Sequence, residues 1–148
     1  MSTADIYLGN PNLKKANTQV EFTADNIEEF IKCKEDPVYF AMNYVKIVTL
    51  DEGLQPFKPY HFQERLINNF HHNRFNICKM PRQTGKSTTV VAFLLHYAVF
   101  NASVNIGILA NKAATARELL GRLQIAYENL PKWMQQGIIS WNRGSLEL

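Results

Sequence analysis

The middle of the sequence constrains the fold most, because an apolar run leads there into a tight turn and then into a long apolar stretch. Residues 77–79 (Ile-Cys-Lys) precede the turn Met80-Pro81-Arg82-Gln83-Thr84-Gly85-Lys86-Ser87, and mostly apolar residues follow from Val90 to Phe100. A strand, a turn ending in Gly-Lys-Ser and a helix, in this order, are typical of a phosphate-binding loop. The pattern is imperfect, since Met80 stands where such loops usually carry their first glycine.

The turn has the chemistry that a bound phosphate requires. Consecutive backbone N–H groups at the positive end of a helix hold phosphate oxygens without side chains, and Gly85 lets the backbone approach them. Lys86 would reach the β- and γ-phosphates, Ser87 would bind Mg²⁺ and Thr88 would contact an α-phosphate oxygen. The alternative is a plain helix start with a solvated lysine. The predicted nucleotide-binding residues of the loop are Arg82, Gln83, Thr84, Gly85, Lys86, Ser87 and Thr88.

Two positions near this motif have two interpretations each. Arg82 either lies along the phosphates, where it neutralises charge that develops during transfer, or faces solvent on the shoulder of the loop. Gln63 either reads the adenine edge with its amide, with Tyr60 or Phe57 stacking on the base, or is an exposed helix glutamine. Spacing alone leaves both questions open.

A further candidate contact follows the second predicted strand. Asn111 and Lys112 come directly after the apolar run that ends at Ala110. Ligands of parallel sheets collect at the carboxyl ends of strands, and a lysine there would contact a nucleic-acid backbone. The alternative is a helix start with a solvated lysine.

Composition narrows the class of protein. The chain has 148 residues, of which 46% are hydrophobic, so it can bury the core of one domain or of a large part of one. A formal charge of +3 permits a nucleic-acid surface without requiring one. No apolar run reaches the length of a membrane span, and the N-terminus lacks a signal-peptide pattern. We therefore expect a cytosolic protein without a membrane partner.

The cysteines and histidines show no metal-ligand spacing. Cys33 and Cys78 are expected to be reduced. The four histidines are expected to have structural roles; they are His61, His71, His72 and His96.

The remaining pattern predicts alternating strands and helices. Helices are expected after the cap residues Thr23 and Asp36, after Pro59, and over residues 86–100 and 112–129. Their apolar faces include Ile27, Phe30 and Ile31 in the first helix. Strands are expected at 74–79 and 104–110, and a hairpin at 138–141 and 145–148. Residues 1–22 are expected to form an extended arm, and 50–58 a loop.

Strand, helix, strand, helix predicts a right-handed parallel unit with helices covering the sheet. Two parallel strands and one hairpin make a thin sheet. We therefore expect the sheet to be incomplete and the domain to be truncated.

Several stretches together resemble the N-terminal ATPase domain of the large terminase subunit of tailed bacteriophages, of the T-even type. The Tyr60-His61-Phe62-Gln63 run is similar to the adenine-reading glutamine motif of that family. Arg82-Gln83-Thr84-Gly85-Lys86-Ser87 is similar to its deviant phosphate loop, which lacks the first glycine and carries an arginine. The other matching stretches are residues 9–17, 37–41 with Tyr44, 107–112 and 141–148.

The resemblance implies a fold and a function. The implied fold class is α/β, with an incomplete P-loop NTPase-type (RecA- or helicase-like) parallel sheet flanked by helices and an N-terminal helical subdomain. It divides the chain into an arm and helical subdomain at 1–58 and the first part of the ATPase core at 59–148. In such terminases the domain hydrolyses ATP to translocate double-stranded DNA into a procapsid, and a separate nuclease domain cuts the concatemer.

Residue roles, cofactors and partners follow from the same resemblance. Arg82 would act on the γ-phosphate, Lys86 would stabilise the β- and γ-phosphates, and Gln63 would read adenine with Tyr60 beside it; Thr84 occupies a variable position. The implied cofactors are ATP and Mg²⁺. The implied partners are double-stranded DNA, the portal protein and the small terminase subunit, in the cytoplasm of the infected bacterial host.

One part of the family pattern does not occur in this sequence. The strand ending in Asp-Glu, which supplies the Mg²⁺-side aspartate and the glutamate that activates water, should follow the C-terminal hairpin. We therefore expect this chain alone to bind ATP weakly and to hydrolyse it negligibly. Two alternatives remain: a superfamily-two helicase-like translocase of nucleic acid, and a non-hydrolysing adaptor that binds nucleotide or DNA.

Overall fold

A computed structural model describes residues 5–49 and 51–148, and it is a mixed α/β structure. The described residues form five helices and six strands. The helices are α1 (Ala24–Glu35), α2 (Pro37–Tyr44), α3 (His61–His72), α4 (Lys86–Phe100) and α5 (Ala113–Glu128). The strands are β1 (Ile6–Tyr7), β2 (Asn10–Lys14), β3 (Lys46–Thr49), β4 (Gly53–Pro56), β5 (Ser140–Trp141) and β6 (Leu146–Glu147). They pair as three antiparallel, two-stranded sheets.

The helix starts follow from their cap residues. Thr23 caps α1, because its hydroxyl accepts a hydrogen bond from the Asn26 backbone N–H at 3.2 Å. Asp36 caps α2 by accepting from two backbone N–H groups, and Pro37 takes the first helical position, where its missing N–H costs nothing. Both predicted caps are confirmed.

The apolar face predicted for α1 is only partly correct. Phe30 packs against the core, and Cys33 is fully buried. Ile27 and Ile31 instead remain about half exposed. The helix lies with its Phe30 and Cys33 side toward α2 and α4, so the neighbouring isoleucines fall outside the contact.

The segment predicted as a loop at 50–58 contributes to a hairpin. Strand β3 pairs with β4 from Lys46 opposite Pro56 to Thr49 opposite Gly53. Gly53 turns the chain with a positive φ of 70°. The β-branched run Ile47-Val48-Thr49 suits a strand, and this signal outweighed the Gly and Pro that indicated a loop. Leu50 lies outside the described residues.

The predicted N-terminal arm is folded against the rest of the protein. Strands β1 and β2 pair with each other, and Lys15 forms a single parallel bridge with Ile138. The predicted extended arm is thus paired over residues 6–15 and forms no strand over residues 16–22, while residues 1–4 lie outside the described part. Long-range backbone pairing of this kind leaves no local periodic signal in the sequence.

Among the described residues, the structure does not show the parallel strands predicted at 74–79 and 104–110. A strand requires a neighbouring strand that supplies hydrogen bonds, and among the described residues no strand lies beside either segment. The alternating pattern is nevertheless present, since Val104, Ile106 and Ile108 are half-buried and the residues between them are exposed. Ile77 is fully exposed. The C-terminal hairpin is confirmed, as β5 and β6.

The buried core lies around α4. Leu95 and Val99 of this helix are almost completely buried, together with Phe40 of α2 and Tyr127 of α5. Residues of both predicted domain ranges, 1–58 and 59–148, contribute to this core. The boundary between the two ranges remains a prediction. None of the helices in the described ranges is long and apolar enough to cross a bilayer.

Candidate phosphate-binding site

The turn before α4 has an unusual backbone conformation. Gln83 and Gly85 both have positive φ, 62° and 72°, and Thr84 between them does not. Positive φ is costly for a residue with a side chain, and at Gln83 it marks a constrained turn. Successive N–H groups in turns of alternating handedness form concave anion sites called nests. The turn therefore shares with such sites the alternation of φ signs along the backbone.

The start of α4 has no side-chain cap. Gly85 occupies the cap position, no side chain accepts from the first-turn N–H groups, and no acidic residue lies in that turn. The first N–H groups of a helix lack intrahelical partners, and the helix dipole places positive charge there. Lys86, Ser87 and Thr88 thus present an uncompensated positive helix end, with Ser87 exposed to solvent.

Side chains hold the turn in shape. The Lys86 ammonium donates to the Met80 carbonyl oxygen at 3.2 Å and so bridges the turn from end to start. The Thr84 hydroxyl donates to the Pro81 carbonyl at 3.1 Å. An ammonium has three donors, so two of those on Lys86 remain available to a ligand.

Gln63 is brought directly against the turn. This residue is 3% exposed, and its Oε1 accepts from the Tyr60 backbone N–H at 2.9 Å. Its Nε2 lies 3.5 Å from the carbonyl oxygens of both Thr84 and Gly85. The alternative of an exposed helix glutamine is therefore wrong. Gln63 connects the first turn of α3 to the loop that precedes α4.

Two aromatic rings lie beside Gln63 on the surface. Tyr60 is 71% exposed and stacks on Phe62, with ring centroids 5.8 Å apart and planes 10° apart. Phe57 is buried, so the expectation that it stacks on a base is wrong. Phe62 is also exposed, at 42%, so both rings of the stacked pair are accessible from solvent.

The remaining predicted residues lie on the surface. Arg82 is exposed within the turn, and Asn111 and Lys112 are exposed directly before α5. Within residues 5–49 and 51–148, no hydrogen bond joins the side chain of Asn111 or Lys112 to the turn. Of the predicted residues outside the turn, the structure thus brings Gln63 into contact with the loop.

Only the residues of the 80–87 turn suit the binding of a nucleotide with Mg²⁺. The Ser87 hydroxyl would supply one oxygen ligand, and phosphate oxygens and waters would supply the others, as is usual for Mg²⁺. No group of three or more His, Cys, Asp or Glu side chains in the described part of the chain could hold a metal ion. The two cysteines are free thiols.

A large groove lies away from this turn. It has a volume of about 1,010 Å³ and is lined by the end of α4, the extended segment 101–108, α5 and the C-terminal hairpin. Val104, Ile106 and Ile108 lie along this groove, and no residue of the 80–87 turn does.

A comparison with known protein families finds no family model that matches this chain. The geometry of the turn, its contact with Gln63 and the uncapped start of α4 are therefore the observations from which a function can be inferred.

Proposed function

We propose that the 80–87 turn binds the triphosphate of ATP with Mg²⁺. The observation that carries the proposal is the pair of left-handed residues, Gln83 and Gly85, at the uncapped N-terminus of α4. Lys86 leaves the Met80 carbonyl, or shares it, to reach the β- and γ-phosphates. Ser87 contributes to Mg²⁺ binding, and Thr88 contacts the α-phosphate.

The base lies on the Gln63 side of the turn in this proposal. Gln63 already contacts the loop carbonyls, and Tyr60 offers an exposed ring next to it. Stacking on an aromatic ring suits adenine. Arg82 is exposed in the turn, and with a nucleotide bound it would lie along the phosphates and stabilise negative charge on the γ-phosphate.

The proposal includes the parallel sheet of a P-loop fold. The alternation of half-buried and exposed residues over 104–109 is that of a strand with one covered face. Phe75, Ile77 and Leu109 are largely or fully exposed, although large apolar side chains of this kind are normally covered. Neighbouring strands at both segments would cover them.

We further propose that the chain is the first part of the ATPase domain of a large terminase subunit. Its resemblance in the glutamine motif and the arginine-bearing loop supports this class of motor, which moves double-stranded DNA into a procapsid with a portal protein and a small subunit, in the host cytoplasm. Lys112 and Asn111 are exposed and free to contact a DNA backbone.

The test measures nucleotide binding rather than turnover. A fluorescent ATP analogue is titrated with Mg²⁺ into the protein, and unlabelled ATP and inorganic tripolyphosphate are used as competitors. A charge-assisted contact contributes about 1.5–3 kcal/mol, so Lys86→Ala is expected to weaken binding about 10- to 100-fold. The matched control is Lys79→Ala, an exposed lysine just before the turn, which should leave the affinity unchanged. Equal affinities for Lys86→Ala and wild type would contradict the proposal.

A further inference from the structure

A second, smaller cavity lies between the β3 strand and helices α4 and α5. Its volume is about 220 Å³. Ile47 lines it from β3, Val91 from α4, and Ile125 and Ala126 from α5. None of the residues predicted for the nucleotide site lines it, apart from Thr88 in the first turn of α4.

The cavity has an apolar floor and an apolar mouth. Val91 and Ala126 are almost completely buried at its base. Ile125 and Val48 are substantially exposed at its opening. Val48 lies directly opposite Leu54 in the hairpin, and Leu54 is exposed as well. An apolar surface thus continues from the cavity onto the face of the hairpin.

Two cationic side chains belong to the lining of the same cavity. Lys46 and Arg122 are both exposed. Arg122 forms an ion pair with Glu118 at 2.6 Å, one helical turn away. An exposed pair of this kind contributes only about 0–1 kcal/mol, so an incoming carboxylate can share or replace it. An apolar pocket with cationic groups at its edge complements an apolar side chain next to an acidic group.

We propose that this cavity docks an acidic peptide segment of a partner protein, which inserts one large apolar side chain between β3, α4 and α5. Pockets for whole small molecules measure about 300–1,000 Å³, so this one suits a single side chain better than a nucleotide. Duplex DNA presents phosphates and no apolar group that fills an enclosed floor. The carboxylates of the segment contact Lys46 and Arg122.

This inference does not depend on nucleotide binding at the 80–87 turn, since different residues carry it. Anchor side chains in well-packed pockets contribute most of the affinity in interfaces of this type, and charges at the edge add specificity and salt dependence.

The experiment uses three fluorescein-labelled five-residue peptides and the 148-residue protein. The test peptide has a central Phe flanked by two Asp on each side. One control peptide has Ala in place of Phe, and the other has Lys in place of every Asp. Fluorescence anisotropy is expected to show saturable binding of the first peptide, at least tenfold weaker binding of each control, and weaker binding as salt is raised.

Two variants locate the binding. Lys46→Glu is expected to weaken binding of the test peptide about tenfold, and Ile125→Ser several-fold, because they change the charged edge and the apolar wall. Lys34→Glu, a matched charge reversal at an exposed position of α1, should have no effect. Both test positions are exposed, and thermal melts confirm folding. Absence of saturable binding, or equal affinity for Lys46→Glu and Lys34→Glu, overturns the proposal.

Discussion

At the scale of single side chains, the burial of His96 is expected to make the stability of the protein depend on pH. This residue is 3% exposed and packed between aromatic rings of α2 and α4. Its Nε2 lies 2.9 Å from the Cys33 carbonyl oxygen, and its buried Nδ1 has no hydrogen-bond partner among the described residues. Burial lowers the pKa of His96 below its usual value, and the hydrogen bond to Cys33 opposes this only in part.

The sign of the pH dependence follows from this lowered pKa. The unfolded chain takes up a proton at His96 as pH falls through about 6.5, while the folded protein keeps the ring neutral. The unfolded state then binds more protons, so the free energy of unfolding decreases as pH falls below about 6.5 and levels off below the folded pKa. More than about 1.5 pH units above the unfolded pKa of about 6.5, both states are neutral and the contribution is constant.

We expect the variant His96→Gln to lose this part of the pH dependence, because glutamine retains an N–H donor for the Cys33 carbonyl but does not titrate. The measurement is the urea midpoint of unfolding at steps between pH 5 and pH 8. His61→Gln is the matched control, since His61 is exposed and should keep the wild-type slope. An identical slope for His96→Gln and wild type would show that His96 is not the responsible group.

At the level of elements, the contact between the start of α3 and the turn before α4 depends on Gly85. Its φ of +72° lies in the left-handed region, and a Cβ built on it lies 2.5 Å from the Gln63 Nε2. Gly85→Ala therefore adds left-handed strain of about 1–2 kcal/mol and displaces the glutamine amide. We expect it to lower the free energy of unfolding by about that amount and to weaken ATP-analogue binding at the same time.

A glycine in α5 provides the control for this substitution. Gly121 lies in the helix interior, and a Cβ there meets nothing within 4 Å. Gly121→Ala should raise the free energy of unfolding by about 0.5–1 kcal/mol and leave nucleotide affinity unchanged. Chemical denaturation of both variants measures the difference. If Gly85→Ala is as stable as wild type, the contact between Gly85 and Gln63 does not constrain the turn.

The sequence predicted those elements whose signals are local. The caps at Thr23 and Asp36, the range of α4 and the C-terminal hairpin follow from neighbouring residues, and the structure has them. The burial of Gln63 could not be predicted in this way. Helical spacing indicates which face of a helix a residue lies on, but it does not indicate which loop packs against that face. The strands at 74–79 and 104–110 were predicted from their apolar pattern, yet pairing depends on neighbouring strands that a local pattern does not contain.

At the scale of the whole molecule, the buried side chain of Gln135 connects strand β2 to the segment after α5. Gln135 Oε1 accepts from the Lys14 backbone N–H at 2.9 Å, and its Nε2 donates to the carbonyl oxygens of Asn12 and Leu130 at 2.9 and 3.0 Å. The Ile138 N–H then donates to the Lys14 carbonyl at 2.8 Å. The Gln135 side chain thus bridges residues more than 120 positions apart in sequence, next to the backbone hydrogen bonds of Lys14 and Ala16 with Ile138.

Gln135→Met is expected to lower the free energy of unfolding by at least about 2 kcal/mol, because a buried backbone group left without its partner costs about 1–3 kcal/mol. Methionine fills a similar volume, so the loss reflects hydrogen bonds rather than a cavity. Amide hydrogen exchange should accelerate at Lys14, Ala16 and Ile138 but remain slow at Leu95 in α4, since the N-terminal strand opens before the core. Gln19→Met, at an exposed position, should change neither quantity. Unaltered exchange at Lys14 in Gln135→Met would mean that backbone pairing with β1 and Ile138 holds the strand without the Gln135 side chain.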